Sequence, residues 1–204
     1  MADPAKKRAT YTDIEAAPPH LVAEIIDGTL YTHPRPSPRH IVAATALGMR
    51  LGDRFQFGNG GPGGWVFVDE PEIKFGDDIL VPDIAAWRRE RLNDYPEKNY
   101  FTVAPDWVCE VLSASTERRD RGIKRRIYAE ASVGHLWLID PRQQQLEAFE
   151  LSEGNWSLIG TWYSGDAVRA PPFDAVSFSL ADLWPLDRPL GLEENPQHLY
   201  AGDR

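Results

Sequence analysis

Apolar residues recur at every third or fourth position between residues 37 and 55. This spacing places one apolar stripe along a helix. The stripe is formed by Ile41, Ala44, Leu47, Leu51 and Phe55. Ser37 and Pro38 are typical of a helix start, because serine caps free N–H groups and proline has none to leave unpaired. The pattern predicts a long helix over residues 37–55 with one side packed against a core.

Strands are predicted on both sides of this helix. The segment "LVAEIIDGTLYTH" at residues 21–33 predicts a hairpin, because Asp27-Gly28 tolerates the positive φ of a tight turn. The glycine-rich segment at residues 58–64 matches no phosphate-binding spacing and predicts a loop. Further strands are predicted at residues 65–75, 79–87, 106–112, 135–140, 145–151, 156–163 and 175–178.

Three more helices complete the pattern. "TDIE" at residues 12–15 has the spacing of a capping box, with Thr12 as the N-cap residue. A second helix is predicted to begin between residues 115 and 120 and to end near Ser132. A short third helix is predicted around the segment "LADLW". The order of helix, three strands, helix and strand, with hairpins added at both ends, predicts a mixed α/β fold.

Length and composition indicate one globular domain. A chain of 204 residues with 42% hydrophobic residues and seven tryptophans is long enough for one sizeable core. We expect a single domain over residues 11–186, a flexible tail at 1–10 and a C-terminal tail at 187–204. No apolar run approaches a membrane span, and "MADPAKKRAT" lacks the apolar core of a secretory signal. Because Cys109 is the only cysteine, no internal disulfide can form, and a cytoplasmic protein is expected.

The charge is negative overall and positive at one place. A net charge of −9 argues against passive wrapping of nucleic acid, but bound cations and a local basic strip can reverse the field at a docking site. Such a strip crowds the first half of the helix that follows residue 115, where the helix dipole opposes cations. A phosphate backbone would explain this bias, and a solvated charged face is the alternative. The strip consists of Arg118, Arg119, Arg121, Lys124, Arg125 and Arg126.

Two carboxylates fall on neighbouring predicted strands. Asp83 follows a proline in one strand, and Glu110 lies between the apolar residues Val108 and Leu112 on its face of the next. Since adjacent strands lie about 5 Å apart, the two carboxylates can converge, and Mg²⁺ or Mn²⁺ would relieve their repulsion. Such a site suits phosphodiester hydrolysis, and the amine of Lys124 could assist it. The alternative is a turn aspartate beside a solvent-exposed glutamate.

Five segments give the chain a resemblance to a known family. They occur in the order and spacing of the Uma-two family of restriction-endonuclease-like proteins, within the PD-(D/E)XK nuclease superfamily, and span roughly residues 11–184. The resemblance implies the αβββαβ core of those nucleases, with an added N-terminal hairpin and added C-terminal strands. The segments are "AEIIDGTL", "SPRHIVAATAL", "VPDIAAW", "PDWVCEVLSAST" and "DRGIKRRIYAEASVGHLWLIDP".

The resemblance also implies roles for individual residues. Asp83 matches the aspartate of the PD motif and Glu110 matches the second acid, so these two and the backbone carbonyl of Val111 would bind Mg²⁺ or Mn²⁺. The lysine expected two residues after Glu110 is absent, because Leu112 stands there. In this family the lysine has moved to the following helix, which here gives Lys124.

Four further residues are candidates for the site. Glu24 could be a third carboxylate facing the metal or a group that orients water. His40 could contact phosphate or could pack the helix. Arg121 and Arg125, on the basic strip, are expected to bind the substrate with His40.

The leading functional hypothesis is a metal-dependent DNA endonuclease. DNA and a divalent metal are then the expected partners, and a homodimer is compatible with an enzyme that cuts both strands. The second hypothesis is a catalytically weak or inactive module of the same fold that binds nucleic acid or a protein partner. A glycosidase that uses two carboxylates without a metal is a third possibility. Cys109 lies in an apolar run, which favours a structural role over a nucleophilic one.

Overall fold

The computed structural model describes residues 8–187, and most of the tails predicted at 1–10 and 187–204 lies outside these residues. The helices are α1 (Tyr11–Glu15), α2 (Pro38–Leu51), α3 (Glu117–Arg119) and α4 (Arg125–Glu130), with 3₁₀ turns at Leu180–Leu183 and Pro185–Asp187. The strands are β1 (Leu21–Ile26), β2 (Thr29–Pro34), β3 (Trp65–Asp69), β4 (Ile73–Phe75), β5 (Asp78–Leu80), β6 (Ile84–Arg88), β7 (Trp107–Val111), β8 (His135–Asp140), β9 (Gln145–Ser152), β10 (Asn155–Tyr163), β11 (Ala167–Val168) and β12 (Phe178–Ser179).

The strands form two main sheets and one short pair. The larger sheet has the order β10-β9-β8-β7-β6-β3, in which β7 and β8 run parallel and the other neighbours antiparallel. The smaller sheet has the order β2-β1-β5-β4, and β11 pairs with β12. The chain order α2, β3, β6, β7, α4, β8 is the predicted αβββαβ core, so the predicted mixed α/β fold is confirmed.

Two predicted strands each divide between the two sheets. The segment at 65–75 forms β3 and β4, and the segment at 79–87 forms β5 and β6. β3 pairs with β6 in the larger sheet, whereas β4 pairs with β5 in the smaller one. At the crossing, the N–H of Glu70 donates to the carbonyl of Asp83 at 3.0 Å. The bend therefore places Asp83 where the sheets meet.

Helix α2 follows the predicted pattern with one exception. Ser37 caps it by accepting from the N–H of His40 at 3.4 Å, and a π-helical turn at Gly52–Gln56 extends it. Ala44, Leu47, Leu51 and Phe55 are buried as predicted, but Ile41 is 49% exposed. The prediction for Ile41 was wrong because the buried face also includes His40 and Ala43, which shifts its centre away from Ile41. Each residue turns a helix by about 100°, so the residue after His40 faces outward.

The predictions for the first hairpin turn and for the two other helices are confirmed in part. The turn of the first hairpin is confirmed, with φ of 49° at Asp27 and 71° at Gly28. The cap of α1 was predicted two residues late: Thr10 is the N-cap, and its N–H donates to the carboxylate of Asp13 at 2.7 Å. The helix predicted after residue 115 consists of α3, a π-helical turn at Asp120–Lys124, and α4.

Strand β7 is buried on both faces, because each face contacts a different apolar cluster. Trp107, Cys109 and Val111 belong to the cluster that packs against α2. Val108 and Leu112 belong to the cluster that packs against α4. The predicted alternation is confirmed, and Glu110 therefore projects toward the α4 side from a strand without an exposed residue. Within residues 8–187, no helix is long and apolar enough to cross a membrane.

Candidate active site

A cleft with an empty volume of about 770 Å³ opens where the two sheets meet. Its walls come from β1, the segment after β2, the start of α2, the end of β7 and the π-helical turn of the following helix. Six of the eight predicted site residues line it. They are Glu24, His40, Asp83, Glu110, Val111 and Lys124.

Lys124 lies at the centre of the carboxylates in this cleft. Its Nζ is 2.7 Å from Oε1 of Glu110, 2.9 Å from Oε1 of Glu24 and 3.6 Å from Oδ1 of Asp120. Burial by itself would lower the pKa of Lys124, but the carboxylates of Glu110 and Glu24 outweigh it and raise that pKa well above its usual value. The amine therefore lies buried among carboxylates that favour its charged form.

Glu110 is fixed by two donors from the helix after β7. The hydroxyl of Tyr128 donates to Oε1 at 2.5 Å, and the ammonium of Lys124 contacts the same oxygen. Burial raises the pKa of Glu110 well above its usual value, and Lys124 opposes this effect. Tyr128 stands four residues after Lys124, so both side chains lie on one face of the helix.

Asp83 is held from two sides. Its Oδ1 lies 2.6 Å from Nε2 of His40, and its Oδ2 accepts the N–H of Val111 at 2.7 Å. Nδ1 of His40 is buried and meets no hydrogen-bond partner among residues 8–187. Because a carboxylate oxygen only accepts, Nε2 carries a proton and donates the hydrogen bond to Asp83. His40 therefore orients Asp83, a contact that the sequence pattern did not predict.

The cleft holds more negative than positive charge. Five carboxylates, those of Glu24, Glu70, Asp83, Glu110 and Asp120, line it with the guanidinium of Arg35 and the ammonium of Lys124. Burial raises the pKa of Asp120 as well. A bound cation would relieve their repulsion.

The oxygen donors of the cleft match a hard cation that needs only one or two protein ligands. In the described part of the chain, no three His, Cys, Asp or Glu side chains group around one point as metal ligands. Mg²⁺ does not need such a cage, because it keeps several waters and binds to one or two carboxylates. Asp83 and Glu110 would provide two, so the oxygen donors present fit a Mg²⁺ or Mn²⁺ ion.

Arg121 and Arg125 do not reach this cleft. They lie in a separate depression beside Trp156. Arg121 pairs with Glu117 at 3.0 Å and with Glu147 at 2.5 Å. The guanidinium of Arg125 lies 4.3 Å from the ring centre of Phe149. Much of the basic strip is thus engaged by the protein itself.

The cleft also contains residues that the sequence pattern did not predict. Ser113, Ser115 and Thr116 form a hydroxyl cluster directly after β7, with Oγ of Ser113 3.0 Å from Oγ of Ser115 and 2.9 Å from Oγ1 of Thr116. Their position three to six residues after Glu110 was the available signal. Arg35 also lines the cleft, where it pairs with Glu70 at 2.9 Å. Arg35 is a single arginine between two prolines, and nothing in the sequence around it indicates that it lines the cleft.

The fold and this cleft define a protein of the restriction-endonuclease-like class. Residues 8–181 match the Uma2 family, whose description is "Putative restriction endonuclease", and the chain belongs to that family. The structure is similar to the crystal structure of a putative nuclease of DUF820 from Anabaena variabilis ATCC 29413, with a TM-score of 0.66 and 20% sequence identity. The match covers 86% of this chain and 97% of that one. A comparison with curated proteins finds no match.

Proposed function

We propose that the protein is a metal-dependent DNA endonuclease that hydrolyses phosphodiester bonds in the cleft between the two sheets. The observation that carries the proposal is the position of Lys124. Its ammonium reaches Glu110 from the helix after β7, while Leu112, at the usual lysine position, is 2% exposed and packs in the core. The cleft thus combines two acids and an amine although the usual sequence spacing is lost.

Asp83, Glu110 and the carbonyl of Val111 would hold the cation. The N–H and C=O of a residue in an extended strand lie on the same edge of that strand. Because the N–H of Val111 donates to Asp83, the carbonyl of Val111 faces the same side. A Mg²⁺ or Mn²⁺ ion at this place would supply a Lewis acid and an activated water for phosphodiester hydrolysis.

Lys124 would stabilise the negative charge that develops on the phosphate. The ammonium is already desolvated and fixed by carboxylates, so it needs little rearrangement to act. Glu24 would hold this ammonium in place, since its Oε1 accepts from both Lys124 and the N–H of Val81, the latter at 2.9 Å. His40 would keep Asp83 oriented toward the cleft.

The cellular setting and the assembly complete the proposal. The buried free thiol of Cys109 suits a reducing compartment, so we place the protein in the cytoplasm. A homodimer would present two clefts to the two strands of a duplex.

Plasmid nicking tests the activity. Supercoiled DNA should be nicked with Mg²⁺ or Mn²⁺ and should stay intact with EDTA. In calorimetric titration, Mn²⁺ should bind the parent protein but not Asp83→Ala, because that variant lacks one of the two carboxylates. Equal Mn²⁺ binding by both proteins would contradict the site. DNA binding without nicking in any metal would favour the inactive-module alternative.

Cys109 is expected to have only a structural role. It is buried on the α2 face of β7, opposite to Glu110, and burial raises the pKa of its thiol well above the usual value. Cys109→Ala should lower the free energy of unfolding by about 1 kcal/mol, as small core truncations do, and should keep most of the nicking activity. Urea unfolding and plasmid nicking measure the two effects. A folded Cys109→Ala protein that no longer cleaves would overturn this assignment.

A further inference from the structure

A second cavity with an empty volume of about 680 Å³ adjoins the cleft. Both cavities are lined by Val22, Arg35, Glu70 and Val81, so these residues stand where the two meet, and we refer to the two cavities together as the groove. The second cavity extends past α1 and the start of β1. A strand that places one phosphate at the carboxylates can therefore continue along the groove past Arg35.

Arg35 is the cation at this junction that is available to a ligand. Within the described residues, Arg35 and Lys124 are the Arg and Lys side chains that line the cleft. Lys124 is 4% exposed and contacts three carboxylates, whereas the side chain of Arg35 is 58% exposed and pairs with Glu70. An exposed ion pair of this kind contributes little stability, so a competing anion can replace it.

Glu70 is anchored through its backbone, and its side chain is less exposed than that of Arg35. Its N–H donates to the carbonyl of Asp83, and its side chain is 32% exposed. The Arg35–Glu70 pair is therefore connected by this backbone hydrogen bond to Asp83. Asp83 is the residue before β6, and its carboxylate is oriented by His40. When a phosphate binds the guanidinium of Arg35, the carboxylate of Glu70 stays at the edge of the groove.

We propose that Arg35 binds a backbone phosphate of the DNA strand in the groove, next to the phosphate that lies at Asp83 and Glu110. Glu70 holds the guanidinium in the free protein and competes with the phosphate for it. Guanidinium binds phosphate oxygens through paired N–H groups, which positions the strand without reading its sequence. This inference rests on the proposed nuclease function, because it takes the ligand of the cleft to be DNA.

The test is DNA binding at several salt concentrations. A fluorescently labelled DNA of about 20 nucleotides, single-stranded or duplex, is titrated by anisotropy in Ca²⁺, with a gel to check that it stays intact. Arg35→Gln should bind about tenfold more weakly at low salt, as expected for one charge-assisted hydrogen bond. The slope of log Kd against log salt should fall by about 1, because one phosphate contact is lost.

Three variants sharpen the result. Arg35→Lys should keep the salt slope, since it keeps the charge. Glu70→Gln should bind several-fold more tightly, since it removes the competing carboxylate. Arg50→Gln is the matched control, because Arg50 is 53% exposed, pairs with Asp182 at 2.8 Å and lies outside the groove. Its Kd and slope should equal those of the parent.

Two outcomes would overturn the inference, and they differ. If the parent binds DNA and Arg35→Gln binds with the same Kd and slope, Arg35 is not a phosphate contact, and the proposed nuclease function is unaffected. If the parent binds neither the single-stranded nor the duplex DNA at any salt concentration, the proposed function fails and this inference fails with it. Equal thermal melting of the parent and its four variants ensures that a weaker Kd does not arise from unfolding.

Discussion

Lys124→Met should slow single-turnover DNA cleavage by about a hundred- to a thousandfold, the cost of losing one group that stabilises transition-state charge. The substitution keeps the length and apolar stem of the side chain and removes the ammonium between Glu24, Glu110 and Asp120. Mn²⁺ should still bind, because Lys124 is not one of the proposed ligands. The cleft would in fact become more negative.

The measurement must separate this effect from loss of structure. Removing one partner of a buried ion pair costs about 3–5 kcal/mol of stability, so circular dichroism should accompany the kinetics. Arg125→Ala is the matched control, since it removes a cation from the next position of the helix, in the depression outside the cleft. It should leave the cleavage rate at saturating DNA nearly unchanged. A Lys124→Met rate within threefold of the parent would remove the lysine from the mechanism.

Glu110→Gln should reduce metal-dependent cleavage by about a thousandfold or more, since metal assistance contributes several kcal/mol to such reactions. The amide oxygen can still accept from the hydroxyl of Tyr128 and from Lys124, whose ammonium keeps Glu24 and Asp120 as carboxylate partners. Mn²⁺ titration should show the loss of affinity directly. Tyr128→Phe provides a comparison, because it removes a donor to the same oxygen but no carboxylate. Unchanged Mn²⁺ affinity in Glu110→Gln would show that Glu110 is not a ligand.

The same substitution should change how stability depends on pH. Burial raises the folded-state pKa of Glu110 above its unfolded value, so the stability that protonated Glu110 contributes is lost as pH rises through that folded pKa. Glutamine does not titrate, so the variant does not lose this stability as pH rises. In EDTA, the unfolding free energy of Glu110→Gln relative to the parent should therefore increase with pH above 4.5, the ordinary pKa of the group. Urea unfolding between about pH 5 and pH 8 measures this difference, and parallel curves would contradict it.

The sequence pattern predicted the parts of the site that depend on local order. Asp83, Glu110 and Lys124 lie on consecutive elements of the αβββαβ core, so adjacent strands and the following helix bring them together. The alternation in β7 also predicted which face carries Glu110. These conclusions need only strand periodicity and the pairing of β6 with β7.

Long-range pairing could not be predicted in the same way. Glu24 reaches Lys124 because β1 pairs with β5 through Ile25 and Ile79, and nothing local specifies that register. The arginines show the same limit. A run of cations suggests a surface for phosphate, but Arg121 instead pairs with Glu147, which is distant in sequence and adjacent in space. Counting charges along a chain does not reveal which of them neutralise one another.

The π-helical turn between α3 and α4 makes the site tolerant of a one-residue change in chain length. A π-helical turn contains one residue more than an α-helical turn. Asp120 stands at its start, Lys124 at its end and Gly122 between them. Deleting Gly122 would replace the π-helical turn by an α-helical turn of similar rotation, so the two halves of the helix would keep nearly the same relative orientation. Asp120 and Lys124 would then stand three residues apart, which still places them on one face of the helix. Relatives that lack one residue in this stretch would therefore keep the amine and both acids together in the cleft.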